Sequence, residues 1–182
     1  MYKRQDNGDA VSFDVEVTNT GDVAGKDVVE VYYTPPYTNG GIEKASVNLV
    51  QFEKTETLEP GKSQTLSFEI AKEDMASYDS DEIKVAGGGY ILEAGEYTIS
   101  VRSDSHTVIA EETFTVDEDI DYSTEGRSTD KTAPVNVFED YTQGDFIQLS
   151  RADGFKNAGA SWAAPTAEAA QMSDELLSLI HI

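Results

Sequence analysis

Cysteine is absent from all 182 residues. That excludes disulfide stapling, thiolate nucleophiles and cysteine metal sites. Histidine is nearly absent: His106 and His181 are the only two, and they are far apart in sequence. A zinc site would need carboxylates for most of its coordination, which is uncommon. Basic residues are scarce as well, with 13 Lys and Arg against 35 Asp and Glu and a formal net charge of −22. A surface this negative repels phosphate backbones and anionic headgroups, so neither nucleic acid nor a membrane surface is expected as a partner. No apolar run approaches the roughly 20 residues that span a bilayer. No residue pattern calls for a cofactor or a metal.

What the chain does have is a period-two alternation that recurs between Val11 and Val116. Val11, Phe13, Val15 and Val17 fall on one side of a strand. Leu66, Phe68 and Ile70 repeat the pattern, as do Tyr97, Ile99 and Val101, and then Val108, Ala110, Phe114 and Val116 with Glu112 as the exception. One buried and one solvated face is how the strands of an antiparallel sandwich read. Val29, Val31 and Tyr33 share a face in a strand that Pro35-Pro36 stops. In the strand Val47–Lys54, Val50 and Phe52 share a face, with a bulge expected near Asn48. Leu58-Glu59-Pro60-Gly61 carries a type II turn signature. Lys72–Met75 reads as one helical turn. Short strands are expected at Ile83–Val85 and Tyr90–Leu92, on either side of Gly87-Gly88-Gly89. That glycine run lacks the following helix and the lysine of a phosphate cradle, and reads as a loop. About seven short strands with turns at regular intervals predict an all-β, immunoglobulin-like or fibronectin type III-like antiparallel β-sandwich over residues 10–116, followed by an irregular, partly helical C-terminal extension.

After Val116 the composition shifts. Residues 117–134 read as an acidic polar linker. Asp117, Asp119 and Asp121 have the odd-position spacing of a calcium loop. Tyr122 and Ser128, however, stand where the glycine and the closing glutamate are required. Residues 135–176 hold a second apolar cluster, with Val135, Val137, Phe138, Tyr141, Phe146, Ile147, Phe155 and Trp162, and a helix start at Thr166–Leu176. This cluster is too short for a core of its own, so residues 120–176 are expected to pack poorly without a further partner. The two ends look foreign to the rest. Met1–Gln5 places two basic residues ahead of an acidic, turn-rich start, and Leu177–Ile182 is an apolar tail without a helix stop signal. Both resemble translated adapter sequence. Residues 1–9 are therefore expected to be non-native or flexible, residues 177–182 to be a non-native tail, and the chain to be internal to a longer protein.

Several stretches carry a family likeness in consistent order. These are Val15-Glu16-Val17-Thr18-Asn19-Thr20-Gly21-Asp22, Ala24-Gly25, Val28-Val29-Glu30-Val31-Tyr32, Val50-Gln51-Phe52-Glu53-Lys54, Leu58-Glu59-Pro60-Gly61, Tyr78-Asp79 and Leu92–Val101. Together they resemble the fibronectin type III-like domain attached to glycoside hydrolase family 3 enzymes, the β-glucosidase group. Gln51 replaces the usual glycine of one strand. The run Gly144–Asp153 is similar to the segment by which some bacterial members pass toward a (β/α)8 barrel, with Gly154 where relatives often have tryptophan.

The resemblance implies a parent enzyme that hydrolyses terminal β-D-glucosyl or related residues with retention, which requires two carboxyl groups about 5 Å apart across the scissile bond. The family's nucleophile triplet is not found here, and no catalytic residue is assigned to this chain. By itself the chain is expected to be a non-catalytic module that braces the catalytic domains of the same polypeptide, in the cytoplasm for a bacterial parent. In some relatives a loop of this module approaches the substrate cleft. Here the loop Thr34–Glu43 is the candidate, with Tyr33, Tyr37, Asn39 and Gly40 as the residues to meet a β-linked oligosaccharide. The alternative is an independent carbohydrate-binding or adhesion module, which would need Tyr32, Tyr33 and Tyr37 as an exposed aromatic platform. A complete small enzyme is disfavoured by the lack of any nucleophile–base pattern.

Overall fold

The chain was analysed as a computed structural model, which describes residues 5–6, 8–137 and 149–156. The strands, in chain order, are β1 (Gln5–Asp6), β2 (Ala10–Thr18), β3 (Val28–Thr34), β4 (Asn48–Lys54), β5 (Ser63–Ala71), β6 (Ser77–Asp79), β7 (Gly89–Leu92), β8 (Gly95–Arg102), β9 (Val108–Val116) and β10 (Ile120–Asp121). They form three sheets, ordered β1-β2-β5, β10-β7-β6 and β4-β3-β8-β9. Among the described residues every pairing is antiparallel.

The alternation accounts for the core. β2 and β5 pair without interruption from Ala10↔Ala71 to Thr18↔Ser63, which sets Phe13 opposite Phe68. Their rings stack at 5.5 Å. In the four-stranded sheet Tyr97 lies opposite Phe114, again stacked at 5.5 Å. These two aromatic pairs join Val11, Val31, Leu66, Ile70, Ile99 and Val101 in one buried cluster that draws on both sheets. Each such side chain contributes about 1.5–3 kcal/mol by leaving water. The predicted turn lies at Glu59–Lys62: the Lys62 amide donates to the Glu59 carbonyl at 3.0 Å, and Gly61 takes φ 73° at the third position. Lys72–Met75 is a single 3₁₀ turn that buries Met75.

Three expectations need correction. The bulge in β4 falls at Val50 rather than near Asn48, because the register steps from Val31↔Gln51 to Tyr32↔Leu49. Val50 packs on the core while Phe52 is 66% exposed, so the two do not share a face. In β9 the alternation holds at Ala110, Phe114 and Val116, with Glu112 as the expected exception, but fails at Val108. A second register shift opposite Val101–Arg102 leaves Val108 and Ile109 exposed. Ile83–Val85 is not a strand. The buried Asp79 carboxylate accepts the amides of Ile83, Lys84 and Val85 at 3.0, 2.7 and 2.9 Å, so these groups need no ladder partner. β7 pairs with Ser77–Asp79 instead.

The stretch read as a linker is tied to the sandwich at several points. Ile120 and Asp121 pair with Leu92 and Ile91. Gly89 has no room for a side chain there, since a Cβ would lie 2.5 Å from that of Ser123. The Tyr122 amide donates to the Tyr90 carbonyl, and the Tyr122 ring packs on the core. Arg127 lies 3.9 Å over the Tyr90 ring and makes two side-chain hydrogen bonds to Asp130. The Ser128 amide and hydroxyl both donate to Glu73. Of the apolar cluster beyond, Val135 and Val137 are exposed.

The chain divides into two compact units, Met1–Asp140 and Tyr141–Ile182. In the second, the Ser150 hydroxyl accepts the Ala152 amide and caps a 3₁₀ turn at Arg151–Asp153, which closes on Gly154 in the left-handed region. Phe138, Tyr141, Phe146, Ile147, Trp162, the helix expected over Thr166–Leu176 and both foreign-looking ends, apart from Gln5, Asp6, Gly8 and Asp9, lie outside the described residues.

This packing predicts opposite outcomes for two phenylalanines. Phe68→Ala should cost about 3–5 kcal/mol in urea unfolding, and Phe52→Ala less than about 0.5 kcal/mol. Equal losses at the two positions would contradict the assigned faces.

Candidate functional site

The loop between β3 and β4 is fastened at its base and open at its tip. Pro35 is buried. The Pro36 ring sits so close to Gly95 that a Cβ there would meet it at 3.0 Å, and Gly95 has φ 142°, so both space and backbone require glycine. At the tip the Gly41 amide donates to the Thr38 carbonyl at 2.9 Å, with Gly40 at φ 81°. On the return, Ile42 is buried in a small cluster with Val85 and Ile91.

A chain of ion pairs ties this return segment to the rest of the fold. The Lys44 ammonium bonds the Glu93 carboxylate, and the Lys44 side chain is only 5% exposed. Lys84 reaches Glu93 at 3.2 Å and Asp119 at 2.8 Å. Asp119 also accepts the Ala94 amide at 2.6 Å. The Lys84 ammonium, and then that amide, hold the Asp119 carboxyl below the usual carboxylate range. The hydrogen bond to Asp119 raises Lys84 in turn, against the opposing effect of its burial.

Of the four residues expected at the cleft, Tyr33 is set apart from the other three. Tyr33 is turned into the core at 8% exposure, where burial raises its phenol pKa, so it offers no face for a sugar to stack on. Tyr37 is half-buried, and its hydroxyl donates to Glu43 at 3.2 Å. Asn39 and Gly40 stand exposed at the turn tip. Tyr32 lies on the opposite side of β3 from Tyr33. It is also buried, with its hydroxyl donating to Glu30 at 2.7 Å and its ring 5.7 Å beneath the Arg102 guanidinium. Tyr32, Tyr33 and Tyr37 therefore make no common platform. Sequence reasoning missed Lys44, Glu93, Lys84 and Asp119, whose pairings join residues distant along the chain. The one available signal was the rarity of lysine in so acidic a sequence.

Elsewhere among the described residues the surface carries further depressions. One, of about 280 Å³, is lined by Val17, Asn19, Val23, Lys26 and Leu58 among others. Another, of about 540 Å³, is bordered by Asp9, Lys72, Glu73, Tyr122 and Ser128. Neither lining contains histidine. Among the described residues no group of three or more His, Asp or Glu is placed to hold a metal ion. Of the aspartates with calcium-loop spacing, Asp119 binds Lys84 and Asp121 accepts the Ser123 amide.

Residues 27–105 match the family of fibronectin type III-like domains. The relatives and solved structures identify which kind. The chain is 40% identical over 109 residues to a β-glucosidase of Ruminococcus albus, covering 60% of this chain and 11% of that protein. It is 44% identical over 92 residues to β-glucosidase A of Butyrivibrio fibrisolvens, covering 50% and 11%. In structure it is similar to β-glucosidase 3B of Thermotoga neapolitana, with a TM-score of 0.59 and 31% identity over 67% of this chain and 16% of that one. The module is thus homologous to the fibronectin type III-like domain of glycoside hydrolase family 3 β-glucosidases. That domain lacks catalytic machinery, although the family's full-length members are enzymes. The chain spans about a ninth of the length of the curated relatives it matches.

The depressed Asp119 carboxyl sets a pH dependence. A lowered folded-state pKa stabilises the fold above the free aspartate value of about 3.9, and that stabilisation is lost as pH falls through the depressed value. The stability gap between wild type and Asp119→Asn should be full near neutral pH and close progressively below about pH 4. Urea midpoints across that range test it, and a gap independent of pH would contradict the Lys84–Asp119 assignment.

Proposed function

We propose that this chain is a non-catalytic structural module of a family 3 β-glycosidase, bracing the catalytic domains of the same polypeptide. The parent reaction in this reading is retaining hydrolysis of terminal β-D-glucosyl or related residues. The observation that carries it is the 40–44% identity to two β-glucosidases over 109 and 92 residues. The structure supports a bracing role in its own way. The loops at the sandwich edge are fastened by Asp79, by Ile42 and by the Lys44–Glu93–Lys84–Asp119 chain, so the surface they present is preorganised.

Within this reading the turn Thr38–Gly41 is the part that reaches toward the cleft. Tyr37, Asn39 and Gly40 are its contact residues, and Tyr33 is removed from the set by its burial. A β-linked oligosaccharide would be met only together with the catalytic domains. The alternative of an independent carbohydrate-binding module is weakened because Tyr32 and Tyr33 are buried.

The purified chain should release no nitrophenol from aryl β-glucosides. It should also give no calorimetric signal with cello- or xylo-oligosaccharides at millimolar concentration. Turnover lost on changing a residue of this chain would overturn the proposal, and millimolar or tighter binding would favour the independent module.

A further inference from the structure

The outer face of the sheet β4-β3-β8-β9 is not the polar surface that a solvated sandwich face usually presents. The β4 bulge is the reason. In an uninterrupted strand Leu49 would point to the opposite side from Phe52. The extra residue turns Val50 onto the core instead, and places Leu49 beside Tyr32 and Phe52 beside Glu30, both facing outward. Leu49 is 49% and Phe52 66% exposed, and Val28, on the same side of β3, is exposed as well. Tyr32, directly opposite Leu49, is a fixed aromatic, held by Glu30 on its hydroxyl and Arg102 over its ring. Arg102 is itself held by the Ser100 hydroxyl at 2.7 Å and the Ser105 carbonyl at 3.1 Å. Bulges re-aim side chains, and exposed apolar groups on an edge strand are an aggregation hazard unless something covers them.

The surroundings of the patch carry more acid than base: Lys54 lies opposite Val28 and Arg102 covers Tyr32, against three carboxylates. Glu30 lies within it, where its hydrogen bond, followed by burial and the nearby Asp104, raises the Tyr32 phenol pKa, and Glu111 faces the same side in the row Tyr32–Ser100–Glu111. Two copies of a chain of charge −22 would bring these acids together, which disfavours self-association through this face.

We infer that Val28, Tyr32, Leu49 and Phe52 form the face by which this module docks on the catalytic part of its own polypeptide, against an apolar hollow rimmed by lysine and arginine. The inference rests on the bracing function proposed above and names the surface that carries it out. Phe52 and Leu49 are the anchors, Tyr32 is the rigid floor beside Leu49, and the acidic residues set orientation and encounter rate.

The test mixes the full chain with Ruminococcus albus β-glucosidase from which the 109 matched residues have been deleted, and reads hydroxyl-radical labelling residue by residue. Labelling of Leu49 and Phe52 should fall on mixing, while Ile109, exposed on β9, should be labelled as before. The double variant Leu49→Ser/Phe52→Ser should weaken the association by about tenfold or more. Protection elsewhere on residues 8–137 with Leu49 and Phe52 unprotected would overturn the face and leave the bracing function standing. No protection anywhere would count against the bracing function itself. Protection of Phe52 in the chain alone, rising with concentration, would overturn the proposal in favour of a second copy.

Discussion

Everything else in this fold hangs on two stacked aromatic pairs, Phe13 on Phe68 and Tyr97 on Phe114. Each pair is made by residues directly opposite one another on neighbouring strands, so it locks the register of its own sheet while contributing to the common core. A one-residue slip in either pairing would turn a whole apolar row toward water. The faces of β2, β5, β8 and β9 follow from these two registers.

With the registers set, the scarce cations of an acidic chain act as ties between segments. Lys44 and Lys84 converge on Glu93, and Lys84 continues to Asp119. Arg127 lies over Tyr90 and grips Asp130, while Arg102 covers Tyr32. Pairs as exposed as Lys26–Glu56 contribute little to stability, because water and salt screen them. The pair at Lys44 is largely removed from water, so breaking it would strand a charge. These ties give a module with few degrees of freedom at its surface, in keeping with the proposed bracing role.

Much of the fold was legible in the sequence because most strands bury a single face. Val11, Phe13, Leu66, Phe68, Ile70, Tyr97, Ile99 and Val101 could be assigned from alternation alone, and Pro60-Gly61 from turn chemistry. The β4 bulge was not, because Leu49-Val50-Gln51-Phe52 reads equally well in either register and only the pairing with β3 decides between them. Ile83–Val85 looked like a strand because a pattern of side chains does not reveal that the Asp79 carboxylate satisfies its amides. The strap after Val116 looked like a linker because its attachments are polar: Ser128 on Glu73, and the Tyr122 amide on the Tyr90 carbonyl. At the candidate site the loop itself was legible. The burial of Tyr33 was legible too, because it shares a face with Val29 and Val31; the half-burial of Tyr37 against Glu43 was not, since it depends on how the loop returns.

The central claim is that residues 10–130 form one cooperative unit, with the strap as part of the fold rather than an appendage. Native-state hydrogen exchange on the full chain tests it most directly. If the claim holds, the amides of Tyr122 and Gly126, which donate to Tyr90 and Tyr122, should open only in the transition that releases the amides of Ile99 and Val101. Exchange of Tyr122 and Gly126 at the rate of an unstructured chain, while the β8 amides stay protected, would contradict it.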